Sequence, residues 1–294
     1  MINKLILFFQ KAIYTLFGIV KIVKAAKFRQ FKKKQDTRGE TCYILGNGPS
    51  LHKDIEKCKL YEEPKNLIAV NRFASSDLYT KLMPNYYILA DPAYYFDSLD
   101  SKLLVSVNNF MLDLKEKSNW PMSLFVPFEG QKRMQELLID NQNITVIGFN
   151  KVNTWKGFKW FDRWVYNHQW AVVSGYNVIM TAIHLAIATG FKTIYLLGVD
   201  HTWHKNVVVG DDNLLYEYDT HFYDKENVKL TPVLVEEPNN VRFFKLHELL
   251  QVCSKTFETY HSIEDYAKYR QVKIINCTQD SFIDAFERLK TPAL

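Results

Sequence analysis

From residue 41 onward, short apolar runs alternate with longer segments of helical spacing. Residues 42–45, 67–70, 86–90, 104–107, 123–126, 143–148, 193–200 and 272–276 are brief, bounded and rich in apolar side chains. Strands covered on both faces read this way. Residues 174–189, 246–270 and 281–289 repeat apolar positions every three or four residues. They predict helices, the first with Ser174 as N-cap and Gly190 closing it. The alternation predicts an α/β fold over residues 39–294: one Rossmann-like parallel sheet with helices on both faces. Ligands of such sheets lie beyond the carboxyl ends of the strands.

Two stretches break the rhythm. In residues 1–34, Ile2, Leu5, Ile6, Phe9, Ile13, Leu16, Phe17 and Val20 recur at helical spacing, interrupted by lysines. The longest uncharged run, 12–20, is too short to span a bilayer. The pattern predicts an amphipathic helix in a membrane interface, with residues 35–40 as linker. A helix docked on the body, or on a second subunit of a homo-oligomer, fits the same pattern. Charge sharpens the picture. Residues 1–38 hold ten Lys or Arg against Asp36, a net +9 out of a total of +5, so the remainder carries −4. A basic segment attracted to anionic lipid follows, and nucleic acid is excluded as a partner of the body. The expected place is cytoplasmic, peripheral on the inner face of the cell membrane. The second break is 201–245, rich in His, Tyr, Trp and Asp and without periodicity. So long a connection reads as a lid over the strand ends.

Composition is ordinary for a globular chain of 294 residues, at 47% hydrophobic and 23% charged. Cys42, Cys58, Cys253 and Cys277 are far apart, without Cys-x-x-Cys, and read as reduced core residues. The strand-end rule selects Asn47-Gly48-Pro49-Ser50, Asn71-Arg72, Asp91-Pro92 and Gly198-Val199-Asp200 as one rim. Gly46 and Gly48 allow a sharp turn and close approach of a ligand, Pro49 suits a helix start, and Ser50 offers a hydroxyl to an anion. A turn without ligand fits these residues equally. Neither Gly-x-Gly-x-x-Gly nor a Walker loop is present. His184 reads as a core residue. His201, His221 and His247 are candidates for a base titrating near neutrality, or hydrogen-bonded surface and cap residues. There is no Asp-x-Asp, Asp211-Asp212 reads as a solvated turn, and neither a metal nor a cofactor is expected.

These landmarks resemble a known family. Ile44-Leu45-Gly46-Asn47-Gly48-Pro49-Ser50-Leu51 looks like the opening of the bacterial sialyltransferases of glycosyltransferase family 42. Ala69-Val70-Asn71-Arg72-Phe73, Ser174-Gly175 and Ile194-Tyr195-Leu196-Leu197-Gly198-Val199-Asp200 follow in the same order. The MptE-like pterin pyrophosphokinases and the flagellin-modifying Maf proteins share them. The resemblance implies metal-independent, inverting transfer of a nonulosonic acid such as sialic acid, from a CMP-activated donor to a surface glycan. It implies a donor site of Asn47, Gly48, Pro49, Ser50, Asn71, Asp91, Ser174, Gly175, Gly198, Asp200 and His201. His247 best matches the base, with His221 its rival, and Tyr216, Tyr218 or Tyr223 steadies the leaving phosphate. Asp91 stands in place of an asparagine, Ala171 of an arginine and Thr202 of a tyrosine. An ATP-dependent pyrophosphokinase and a non-catalytic glycan-assembly scaffold are the alternatives.

Overall fold

The computed structural model describes residues 2–31, 39–62, 65–96, 101–154, 156–173, 177–218, 230–237 and 240–288. Helix α1 (Ile2–Ala25) comes first. Then follow β1 (Thr41–Leu45), α2 (Leu51–Lys57), β2 (Asn66–Val70), α3 (Leu78–Leu82), β3 (Tyr86–Ile88), α4 (Ser101–Lys117), β4 (Met122–Pro127), α5 (Phe128–Leu137) and β5 (Ile144–Phe149). A short strand pair, β6 (Asn153–Thr154) and β7 (Val172–Val173), brackets α6 (Lys159–Asn167). Helix α7 (Val178–Thr189) leads into β8 (Thr193–Leu197). Residues 201–245 hold β9 (Val207–Val209), β10 (Leu215–Tyr218), β11 (Leu230–Pro232), β12 (Leu234–Glu237) and β13 (Asn240–Phe243). Helix α8 (Leu246–Tyr269), β14 (Lys273–Asn276) and β15 (Glu287–Arg288) complete the described chain.

The main sheet runs β15-β14-β8-β1-β2-β3-β4-β5, parallel throughout. Alternate strand residues feed two cores, as the period of two requires. Cys42, Ile44, Ile68 and Val70 pack with Met180 and Ile183 of α7 and with Tyr260 and Ile263 of α8. Leu45, Leu67, Ala69 and Tyr87 pack with Ile55 of α2, Tyr79 of α3 and Phe110 of α4. The chain grows outward from β1 to β5 and then returns to add β8 on the other side of β1. That reversal makes the β1/β8 seam the topological switch point, where open α/β sheets bind ligands.

Four expectations are corrected. Residues 104–107 lie in α4, not in a strand. Val107, Phe110, Met111 and Leu114 are all buried at i, i+3, i+4 and i+7, a helical stripe that four residues alone do not reveal. Residues 281–288 form no helix, because the turn after β8 recruits their polar groups. Ser281 Oγ donates to Val199 O (2.7 Å), Phe282 N to Asp200 O (3.0 Å), and Arg288 ties Ser281 O back (2.7 Å). Helix α1 stops at Ala25, since side chains of the body capture the next backbone groups. Lys27 N donates to Asn150 Oδ1 (2.7 Å) and Phe31 N to Gln169 Oε1 (2.8 Å). The N-cap of α7 is Asn177, whose Oδ1 accepts from Met180 N (3.1 Å). Gly190 closes that helix in the left-handed region, as expected.

Candidate functional site

A cavity of about 510 Å³ opens at the switch point. Turns after β1 (Gly46–Pro49), β2 (Asn71), β3 (Asp91, Pro92), β5 (Lys151) and β8 (Gly198–Thr202) form its rim. The start of α7 (Asn177–Ile179, Thr181) also lines it, as do Trp203, Asn206, Glu217 and Tyr218 from the segment after β8.

The two turns at the seam are built into each other. Gly46 N donates to Leu197 O (2.8 Å) and Gly48 N to Gly198 O (2.9 Å). A Cβ on Gly46 would lie 2.3 Å from Gly198 O. Gly198 itself is left-handed (φ +63) and packs on Leu51. The glycines therefore admit the neighbouring turn first, and line the cavity second. This corrects the reading of Gly46 and Gly48 as room kept for a ligand.

Ser50 is corrected too: it is not among the lining residues. Its hydroxyl lies 2.9 Å from Asp54 Oδ2 and 3.0 Å from Asp200 Oδ2. One hydroxyl proton serves two carboxylates, so the trio is fully paired only when a second proton is taken up. Burial pushes both carboxyls up, Asp200 to about 6 with the charge of Asp54 adding. Asp54 is anchored by N–H groups of Gly198 (2.9 Å) and Gln279 (3.1 Å). Asp200 is the member of the pair that lies on the cavity wall.

His201 lines the cavity but is no solvent-exposed base. It is 7% exposed, adopts φ +55 and sits under Trp203, with ring centroids 4.3 Å apart. Its Nε2 is 2.5 Å from Tyr260 Oη and 3.4 Å from Asn177 Nδ2. Burial pulls it down to about 3, so it is neutral at physiological pH. His184, read as a core residue, is buried, and its Nδ1 accepts from Val173 N (3.4 Å).

Hydrogen-bonding capacity in the cavity is left over at two amides. Asn47 Nδ2 donates to Val70 O (3.3 Å), but Asn47 Oδ1 is buried with no partner among the described residues. Asn71 Oδ1 is in the same state, and Asn71 itself is left-handed (φ +49). A buried acceptor of this kind calls for a donor, from a ligand or from water. Lys151, which the sequence reading did not select, supplies the lining cation. Its Nζ donates to Ala90 O (2.6 Å), leaving two further protons. Burial pulls its pKa down, opposed by Asp91 and Glu129. The strand-end rule, applied to the run ending at Phe149, would have found it.

The other selected residues are less engaged. Asp91 Oδ1 accepts from Ala93 N (2.9 Å) and caps the turn at Pro92. Arg72 points away to Ser106 Oγ (2.5 Å). Tyr216 donates to Asp212 (2.7 Å), while Tyr218 and Thr202 line the cavity. Ala171 is fully buried in the core. His247 is exposed on the first turn of α8 and does not line the cavity. The neighbouring Glu248 is held in a forked pair with Arg242 (2.8 and 2.9 Å). Ser174, Gly175, His221 and Tyr223 lie outside the described residues.

Residues 15–206 match the model of a family described as 6-hydroxymethylpterin diphosphokinase MptE-like. The fold is similar to that of the Maf glycosyltransferase from Magnetospirillum magneticum AMB-1, at 17% identity and a TM-score of 0.51. The likeness covers 96% of this chain but 38% of that one, so the chain spans well under half of that protein's length. No curated protein matches the chain.

Proposed function

The chain belongs to the MptE-like family, and from that premise we propose that it is a nucleotide-dependent glycosyltransferase. In this reading the cavity takes a CMP-activated sugar of the nonulosonic class and passes the sugar to a surface glycan. The observation that carries the reading is the polarity of the cavity. The lining includes two amide oxygens unpartnered among the described residues, Asn47 Oδ1 and Asn71 Oδ1, which suit the amino and hydroxyl donors of a nucleoside. It also includes the Lys151 ammonium and the start of α7, which suit a phosphate. The acceptor hydroxyl attacks the anomeric carbon, the bond to the nucleotide phosphate breaks with its electron pair, and the hydroxyl proton passes to a base. Asp200, pushed up to about 6, supplies a base on the cavity wall. His221 and His247 are the bases that the sialyltransferase resemblance implies.

A second reading is the diphosphokinase activity in the family's description. Such chemistry with ATP calls for several cations around a triphosphate. Lys151 is the lining cation among the described residues, and a single cation favours the single phosphate of a CMP donor. Melting the full chain with CMP, UDP, GDP and ATP with Mg²⁺ separates the readings. Stabilisation by CMP supports glycosyl transfer, and stabilisation by ATP with Mg²⁺ alone replaces it with the diphosphokinase. No shift with any of the four leaves a scaffold.

A further inference from the structure

Helix α1 touches the body along one narrow stripe. Thr15, Gly18 and Ile22 are buried, and the stripe continues through Lys11 and Ala26, which are half-buried. Spacings of three and four keep these residues on one face. Thr15 Oγ1 accepts from Phe158 N (2.9 Å), Gly18 abuts the Phe161 ring, and Ile22 enters the core. The opposite face carries Ile6, Phe9, Ile13, Leu16, Phe17 and Val20, which are 42–63% exposed.

The body extends this uncovered surface. Helix α6 turns Trp160 and Trp164 outward, 67% and 46% exposed. The Phe8 ring lies 5.4 Å from Phe158, which stacks in turn at 6.5 Å on Trp160. Two segments far apart in sequence thus present one apolar surface, of the kind that marks an interaction site.

Charge selects the occupant. Residues 1–31 contain Lys4, Lys11, Lys21, Lys24, Lys27 and Arg29 and no acid. An apolar face bordered by cations and tryptophans matches the boundary between acyl chains and anionic headgroups. The span Asn3–Ala25 is long and apolar enough to cross a bilayer, but its docking argues otherwise. The body grips the middle of the helix, at Thr15 and Gly18, so crossing would carry Gly157, Phe158 and the backbone of β6 into hydrocarbon. We propose that α1 and the outer face of α6 together seat the protein in the plane of an anionic lipid bilayer. This surface is independent of the reaction assigned to the cavity.

The test is flotation of the full chain with vesicles of phosphatidylglycerol and phosphatidylcholine, or of phosphatidylcholine alone. The protein is expected to float with the anionic vesicles, and salt at about 1 M to weaken partitioning about tenfold. The paired variant Trp160→Ser, Trp164→Ser is expected to partition about tenfold less while melting like the wild type. Leu16→Gln with Phe17→Gln should act in the same direction. Spin-labelled lipids should quench tryptophan more strongly from a shallow label than from a deep one. The proposal is overturned if the full chain stays unbound with anionic vesicles, or if the tryptophan variants partition equally. Stronger quenching from the deep label overturns the in-plane placement. Lipid-independent self-association lost in these variants would give the surface to a second copy and overturn the proposal too.

Discussion

Gly48 and Asp200 meet across the β1/β8 seam so closely that a Cβ on Gly48 would lie 1.8 Å from Asp200 Oδ2. The same Cβ would lie 2.7 Å from Gly198 O, a backbone atom with little room to yield. Gly48→Ala is therefore expected to destabilise the fold by about 2–4 kcal/mol and to displace the Asp200 carboxylate. Chemical denaturation measures the first effect. An unchanged midpoint would mean that the two turns slide apart freely.

Asp200 should trade stability for function. A carboxyl whose folded pKa stands above its unfolded value binds its proton more tightly in the folded state. The fold therefore loses stability as pH rises from about 4 to about 6, and the deficit persists above that window. Asp200→Asn is expected to stabilise by about 1–2 kcal/mol near pH 7, discounted for solvent screening, with the gain vanishing near pH 4. The same variant should lose transfer activity. Equal melting curves at both pH values would remove the burial argument.

His201 has the opposite sign. Its folded pKa, lowered to about 3, lies below the unfolded 6.5, so the stability it contributes is complete above about 6.5 and falls away as pH drops towards 3. His184, lowered to about 3 by burial, adds to the same window. His201→Ala removes the nearer partner of the fully buried Tyr260 hydroxyl, leaving Asn177 Oδ1 at 3.4 Å, and is expected to cost about 1–3 kcal/mol at neutral pH. The loss of acid lability in that variant, seen in melting temperature against pH, distinguishes titration from mere packing.

Asn71 and Lys151 separate binding from folding. Asn71 is left-handed, so Asn71→Gly keeps the backbone relaxed while removing the unpartnered amide oxygen. It is expected to melt within about 1 kcal/mol of the wild type and to bind the stabilising nucleotide at least about tenfold more weakly. Lys151→Ala should weaken the same nucleotide by about ten- to a hundredfold, and the corresponding nucleoside, lacking phosphate, far less. Calorimetric titration of both ligands reads the difference. Equal losses for nucleotide and nucleoside would take the phosphate away from Lys151.

The rim was legible in the sequence because each buried strand announces its own end: Leu45 before Gly46, Val70 before Asn71, Leu197 before Gly198. Local reading failed where the deciding partner is remote. Residues 281–288 look periodic, yet Val199 and Asp200 hold Ser281 and Phe282 in an extended path. Ser50 alone reads as an anion ligand, but Asp54 and Asp200, one of them 150 residues away, both contact its hydroxyl. Residues 104–107 failed for a different reason. Four apolar residues fit a strand or a helix, and only Phe110, Met111 and Leu114 beyond them decide. Lys151 carries a local signal too, standing two residues beyond the apolar run that ends at Phe149.

The seam also dictates when the site can exist during synthesis. β1 emerges early, yet its hydrogen-bonded neighbour on one side is β8, in register from Thr41 with Thr193 to Leu45 with Leu197. At about 5–20 residues per second, a ribosome takes on the order of ten to thirty seconds to traverse the interval between β1 and β8. Through it, the edge of β1 and the turn at Gly46 wait unpaired, a non-local closure of the kind that slows folding. The nascent chain is most exposed to mispairing while β1, which carries the first wall of the cavity, awaits β8.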